Sequence, residues 1–305
     1  MKNNIEKPIE WHESRQQFIG GSDVGAILGL NPYKSPLQVY EEKTAESPII
    51  TPLNAAMEFG LRLEDMIADK YSDVTGLKVL RKNKHAIHSK YPFMAAQVDR
   101  LIANPGRGTG VLEIKTANRF AVKAWGEDGL PLSYYAQLQH QFACTGHGWG
   151  EIALLIDGRE FETFPFEKDG EFIEMMEHQL VDFWEKHVLA KNPPEPRTEE
   201  DFKKFFQESA PGKIIEAPDA AFQTYSELQS VKIQMENLKA EEERLKTQFK
   251  LLMGDAERLE YHGDVLATWK SHTRKSLDSK AIQKDLPEIY NQYARETVVR
   301  PFLVK

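Results

Sequence analysis

The sequence predicts a mixed α/β (α+β) protein, and three observations predict it. Two short stretches, Gln97-Val98-Asp99-Arg100-Leu101-Ile102 and Val111-Leu112-Glu113-Ile114-Lys115, alternate apolar and other residues as strands do. Apolar residues recur at helical spacing elsewhere in the first 192 residues, most clearly from Gly170 to Lys191. Beyond a proline-rich break, the composition shifts to a long charged helix with an apolar seam. These divide the chain into a body over 1–192, a linker over 193–217 and an appendix over 218–305.

The chain opens on a polar, charged stretch, Met1 to Glu13, with no apolar signal region. Next come Arg15 and then Gly20-Gly21-Ser22-Asp23-Val24. The two glycines allow unusual dihedrals, and Ser22 or Asp23 is expected to cap a short helix ending near Gly29. A helix N-terminus suits a phosphate, and Arg15 offers a bidentate guanidinium. The same residues also read as a capped helix after a turn. No Gly-Lys-Ser/Thr follows, which excludes a Walker loop. Val24 at the second glycine position of Gly-x-Ser-x-Gly excludes a nucleophile elbow.

Asn54 to Tyr71 predicts a helix with Met57, Leu61, Ile67, Ala68 and Tyr71 on one face. Glu64 falls on that face, where a carboxylate must snorkel, pair or serve a site. Asp65 lies off the face and is expected to be solvated. The strands 97–102 and 111–115 flank Asn104 to Gly110, a run of turn formers, so they predict a hairpin or two neighbouring strands. Alternation puts Glu113 and Lys115 on one face and Leu112 and Ile114 on the other, with Asp99 able to meet Glu113. Two carboxylates and an ammonium suit a hard cation and a water held for attack on a phosphodiester. Alone, Glu-x-Lys is also an ordinary surface charge pair.

Tyr134 to Phe142 reads as a helix with Gln137 and Gln141 one turn apart, and Tyr134 beside Gln137. A neutral amide there can hold a water or a phosphate oxygen. The nine histidines form no His-x-x-x-His pair, so no imidazole metal site is expected and His140 reads as structural or exposed. The helix over 170–191 carries Phe172, Ile173, Met176, Leu180, Phe183, Trp184 and Val188 as a core stripe, and Asn192-Pro193-Pro194-Glu195-Pro196 stops it. From Asp219 to Met253, Val231, Leu238, Leu245 and Leu252 recur every seven residues. Leu228, Met235 and Phe249 alternate with them, and Glu242 is the exception. This coiled-coil-like seam packs either on the protein itself or on a second copy. A hairpin turn and strand over 261–270, a helix over 279–294 and a strand over 300–304 complete a small α+β appendix. His272, Arg274 and Lys275 there read as a solvated basic spot.

A net charge of -8 argues against non-specific coating of nucleic acid, though not against a local basic groove. The lone cysteine, Cys144, excludes a disulfide framework and a Cys-rich metal site, and its apolar neighbours make it a core residue. No apolar run spans a membrane, so a soluble intracellular protein is expected.

Five motifs taken in order resemble one family. They are Trp11-His12-x-x-Arg15, Gly20-Gly21-Ser22-Asp23-Val24, Phe59-Gly60-x-x-x-Glu64, Asp99 with Glu113-x-Lys115, and Tyr134-x-x-Gln137. Their order is that of YqaJ-like viral recombinases, a group similar to phage lambda exonuclease within the PD-(D/E)XK superfamily. The resemblance implies a restriction-endonuclease-like core, a twisted mixed sheet flanked by helices. It implies 5′→3′ degradation of one strand from double-stranded DNA ends with Mg²⁺, for which Mn²⁺ can substitute. Asp99, Glu113 and the main-chain carbonyl of Ile114 would hold the metal, and Glu64 would act on it or on its water. Lys115 would orient or activate the water, Gln137 would complete the site, and Arg15 and Ser22, with Tyr134 nearby, would receive the 5′-phosphate. A homo-oligomer, a trimeric ring in many relatives, a single-strand annealing partner and a cytoplasmic phage or prophage setting are further implications. Gln97 stands where the superfamily name has proline, and the tail after Pro193 is no part of the minimal nuclease. Two other classes remain: a restriction- or repair-type endonuclease on the same core, and a non-enzymatic DNA-end or partner-binding module.

Overall fold

A computed structural model describes residues 8–81, 84–125, 129–206, 208–295 and 300–304. Residues 1–7 of the polar opening stretch lie outside it. The chain divides after Phe206 into two units. The first begins with α1 (Ile9–Gln16), α2 (Gly21–Ile27), α3 (Pro36–Thr44) and α4 (Ala55–Thr75). Then come β1 (Lys78–Leu80), β2 (Ala86–Ile87), β3 (Ala95–Ala96), β4 (Arg100–Asn104), β5 (Gly108–Ala117), α5 (Arg119–Ala124) and α6 (Leu132–Thr145). The unit ends with β6 (Trp149–Ile156), β7 (Glu160–Glu167), α7 (Gly170–Phe183), a π-helical turn over Trp184–Leu189, and α8 (Glu199–Phe205).

Five strands form a twisted mixed sheet in the order β1-β4-β5-β6-β7, as the resemblance implies. Only β5 and β6 run parallel, joined by the α5–α6 crossover; the other pairs are antiparallel. On one face Leu112, Ile114, Ala153 and Leu155 pack with Ile67, Ala68 and Tyr71 of α4. On the other, Val111 and Ile152 join Leu138 and Phe142 of α6, Ile173, Met176 and Leu180 of α7, and Val24 of α2. Strand β6, inside the sheet between β5 and β7, is buried on both faces, so Ile152-Ala153-Leu154-Leu155-Ile156 is continuously apolar and shows no period of two.

Several expectations change. The first strand begins at Arg100, not Gln97, because the Asp99 side chain accepts the Ile114 N–H at 2.9 Å and takes the place of a backbone ladder bond. Helix α4 extends to Thr75, where Gly76 at φ 70° ends it. Its predicted apolar face is only half buried: Met57 and Leu61 are 49% and 39% exposed, and the packed stripe is Leu63, Ile67, Ala68 and Tyr71. The N-cap of α2 is Gly20, and Asp23 bonds back to the Gly20 N–H at 3.0 Å. Gly20 is ordinarily extended, so the glycine pair serves close approach and not unusual dihedrals.

The boundary also moves, because Pro193 ends a helix without ending the unit. Asp201 of α8 is buried, accepts the Ser35 hydroxyl at 2.8 Å at the cap of α3, and accepts the N–H groups of Arg197 and Thr198 at 3.0 Å. Lys204 adds an ion pair to Glu41 at 2.7 Å. The segment expected as linker is thus partly tied into the body.

In the second unit α9 (Asp219–Met253) runs as predicted, followed by β8 (Arg258–Tyr261) and β9 (Asp264–Thr268). His262 and Gly263 between them have φ 51° and 92°, the signature of a two-residue type I′ hairpin. The expected helix over 279–294 is two, α10 (Ser279–Asp285) and α11 (Pro287–Tyr293), because Pro287 cannot continue the first and starts the second. Residues 300–304 form no strand.

His140 is fully buried against Cys144, and burial brings its pKa down to about 3 while pushing the Cys144 thiol up to about 12. Buried and held as the thiol, the cysteine sits in the core as expected. The unfolded imidazole takes its proton near pH 6.5 and the folded one near 3, so its contribution is intact above pH 6.5 and is lost as pH falls towards 3. That amounts to roughly 4 kcal/mol at the acid end. His140→Met is expected to flatten the fall in melting temperature between pH 6.5 and 4, measured by thermal unfolding in a pH series. An unchanged slope would mean that other groups carry it.

Candidate active site

Strand β5 lifts Glu113 and Lys115 from the face that α6 crosses. The Lys115 ammonium donates to Glu113 Oε1 at 2.6 Å and to Gln137 Oε1 at 3.2 Å. The Gln137 amide donates to the same Glu113 oxygen, and Gln141, one turn on, donates to Glu113 Oε2 at 2.6 Å. Both Glu113 oxygens are therefore fixed, though the residue is buried. The Tyr134 ring lies 5.0 Å from the Lys115 ammonium, a cation–π distance.

Asp99 lies opposite Glu113 across the β4–β5 pair. Burial and then the Glu113 charge push its pKa up, against the pull of Lys115 and the Ile114 N–H. Burial alone would lower the Lys115 pKa; the charges of Glu113 and Asp99 outweigh it and hold the ammonium above its usual range. The cluster so far holds two acids to one base.

Glu64 is nearby but differently engaged. Arg100 binds the carboxylates of both Glu64 and Asp65, and Asp65 also pairs with Arg81. Asp65 is exposed as expected, yet paired. Among the described residues no three carboxylate, imidazole or thiolate groups gather as a metal cage.

A second cluster centres on Asp23, which is completely buried in α2. Arg15, Lys34 and Lys43 approach its carboxylate at 3.3, 3.1 and 2.8 Å. Burial would raise its pKa, but Lys43, Lys34 and Arg15 together hold it far below the usual carboxylate range. Lys34 goes up: burial would lower it, and Asp23 and Glu42 outweigh that. Lys43 goes down, because burial outweighs the attraction of Asp23 and Arg15 repels it. Arg15 also donates to the Ser22 hydroxyl at 3.1 Å. Arg15, Ser22 and Lys43 line an open cavity of about 290 Å³ together with Trp11, His12 and Met57.

Two glycines join these clusters. A methyl group on Gly20 would stand 2.8 Å from the Arg15 guanidinium, and one on Gly21 would stand 3.1 Å from Gln137 Cγ. The turn thus packs between the Arg15 cavity and the amide that holds Glu113. Of the residues picked from sequence, Asp99, Glu113, Lys115, Gln137 and Tyr134 converge; Arg15 and Ser22 form the neighbouring cavity; Glu64 is held by Arg100. Asp23, Lys34, Lys43, Arg100 and the Glu113 contact of Gln141 went unpicked. Gln141 had a usable signal, its one-turn spacing from Gln137, and Asp23 had another, an acid opening the apolar run Val24 to Leu28.

The five-stranded mixed sheet flanked by helices is a PD-(D/E)XK-type fold. A model of the YqaJ-like viral recombinase domain matches residues 10–148. The YqaJ protein of Bacillus subtilis (strain 168) is 32% identical over 310 residues, which cover 100% of this chain and 96% of that protein. The chain belongs to the YqaJ-like viral recombinase family. Among solved structures, its fold is similar to the alkaline exonuclease LHK-Exo of Laribacter hongkongensis, with a TM-score of 0.52 and 24% identity over 60% of this chain and 93% of that one. LHK-Exo in complex with dAMP matches at a TM-score of 0.51 and 24% identity, over 64% and 96%. No helix among the described residues is long and apolar enough to cross a membrane.

Proposed function

We propose that this protein is a divalent-cation-dependent nuclease that resects the 5′ strand from double-stranded DNA ends for phage-type recombination. One observation carries the reading: the Asp99–Glu113–Lys115 cluster and the Arg15–Ser22 cavity adjoin through Gly21 and Gln137. Such adjacency suits a DNA end whose terminal phosphate sits in one while its first phosphodiester sits in the other.

The donor set fits Mg²⁺, with Mn²⁺ as a substitute. Asp99 and Glu113 are hard oxygen ligands, crowded enough that Asp99 resists ionisation, and a divalent cation relieves that crowding. Asp99, Glu113 and the main-chain carbonyl of Ile114 would hold it; Glu64 would join by exchanging Arg100. Bound there, the cation supplies Lewis-acid polarisation of the phosphate and a more acidic water. Lys115 orients the attacking water and offsets charge developing on the phosphate. Gln137 and Gln141 hold Glu113 in one rotamer, and Gln137 holds Lys115 as well. Arg15 and Ser22 take the terminal 5′-phosphate, with Asp23 fixing the guanidinium. LHK-Exo has been solved with dAMP, and a deoxynucleoside monophosphate is what the proposed reaction releases. The 3′ strand left behind suits a single-strand annealing partner.

The test compares linear 5′-phosphorylated duplex with a covalently closed circle in Mg²⁺. Loss of the linear form alone supports the end-dependent reading. Cutting of the circle would make the protein an endonuclease, and sparing of both, with DNA ends still bound, a binding module. Ser22→Ala and Arg15→Ala test the phosphate cavity. Each is expected to slow digestion of 5′-phosphorylated ends by about 10-fold or more, as for a lost hydrogen bond to a charged group, and to leave 5′-hydroxyl ends nearly unchanged. An equal loss on both ends would remove the phosphate role.

A further inference from the structure

Helix α9 spans 35 residues, and its seam residues Leu228, Val231, Met235, Leu238, Leu245, Phe249 and Leu252 are 37 to 74% exposed, while Lys232 beside them donates to the Val304 carbonyl at 3.2 Å. A stripe of spacing 3 and 4 from Leu228 to Leu252, broken only at Glu242, is the pattern of a helix that packs on another helix. The charges beside it say which helix. Directly after the second seam position of each heptad stand Lys232, Lys239 and Lys246. Directly before the first stand Glu227, Gln234, Glu241 and Gln248.

In a parallel, in-register pair each of the latter meets the residue five positions on in the other helix. Glu227 then faces Lys232 of the second copy, Gln234 faces its Lys239, and Glu241 faces its Lys246. No like charges meet across the flanks. An antiparallel pair would set the lysine column against itself and the glutamates against glutamate or glutamine. We propose that α9 pairs in parallel and in register with α9 of a second copy, so that this chain self-associates through its second unit. This stands apart from the nuclease reading.

Glu242 is the one charged seam residue, and in the pair it faces its own counterpart. Lys246, 2.7 Å away on the same helix, partly offsets it. A polar residue at one such position weakens a coiled coil while fixing its register. Pairing is therefore expected to depend on concentration and to tighten in Glu242→Leu.

The experiment follows the mass of the full chain by analytical ultracentrifugation across concentrations. Leu238→Asp with Leu245→Asp is expected to abolish self-association and, since both residues are exposed, to leave the melting temperature of the first unit unchanged. Leu245→Cys reads the orientation: parallel pairing sets the two thiols face to face, and mild oxidation gives a disulfide-linked dimer, the native Cys144 being buried. A chain with Lys232, Lys239 and Lys246 changed to Glu is expected to pair at least 10-fold more weakly with itself. It should pair again with a chain carrying Glu227→Lys and Glu241→Lys. A wild-type monomer, an oligomer indifferent to the Asp substitutions, or a Leu245→Cys chain that does not cross-link would each overturn the proposal.

Discussion

Lys115→Ala is expected to slow cleavage of linear duplex DNA by about 10³-fold, within the range a positioned proton-transfer or charge-stabilising group contributes. The side chain sits where two roles meet: it donates to Glu113 and Gln137 and faces the Tyr134 ring. Alanine removes the ammonium and leaves the Gln137 and Gln141 bonds to Glu113 in place. Divalent-cation binding should therefore survive, read by calorimetry with Ca²⁺ as a non-hydrolysing probe. Asp99→Ala is expected to lose both cleavage and Ca²⁺ binding, since it deletes one of the two clustered acids. Arginine at 115 keeps a positive charge but not a compact ammonium, and should recover little rate. Cleavage by Lys115→Ala within 10-fold of wild type would remove the residue from the chemistry. Loss of Ca²⁺ binding in that variant would make it a structural partner of Glu113.

The acid–acid–lysine cluster was legible because strand alternation is a local rule. Residues 113 and 115 must share a face, and the turn formers from Asn104 to Gly110 bring Asp99 opposite. The seam of α9 was legible for the same reason, being a period within one helix. The features hidden from sequence are long-range or interrupted. Strand β6 has no alternation because both its faces are buried. The Asp23 cluster draws Arg15, Lys34 and Lys43 from three different segments, and no spacing marks them as partners. Arg100 reads only as a strand residue, so the ion pair that occupies Glu64 was invisible. Pro193 misled because proline reports the end of a helix and says nothing of the end of a unit; the buried acid Asp201 ties the next helix back to the body.

Asp23→Ala is expected to destabilise the first unit by about 3–5 kcal/mol, the usual cost of leaving one member of a buried ion pair alone. Lys43 bears most of that cost. Its ammonium is buried and would keep only the Arg15 carbonyl, 2.8 Å away, to satisfy three donors. Arg15 and Lys34 retain solvent and suffer less. In a unit of about 200 residues, this corresponds to a melting temperature lower by roughly 10 °C. Lys43→Met alone is also expected to be destabilising, but the double variant should lose less than the sum, because the stranded charge is gone. The pH dependence separates this account from simple loss of packing. The folded Asp23 carboxyl lies far below its ordinary range, so its stabilisation is complete above the unfolded value near 4 and is lost only as pH falls below that. Asp23→Asn should therefore cost the same at pH 8 as at pH 6, and the gap to wild type should narrow below pH 4. A gap that is constant down to pH 3 would assign the effect to shape and not to charge. A shift under 2 °C in Asp23→Ala would show that water can serve Lys43 as well as the carboxylate does.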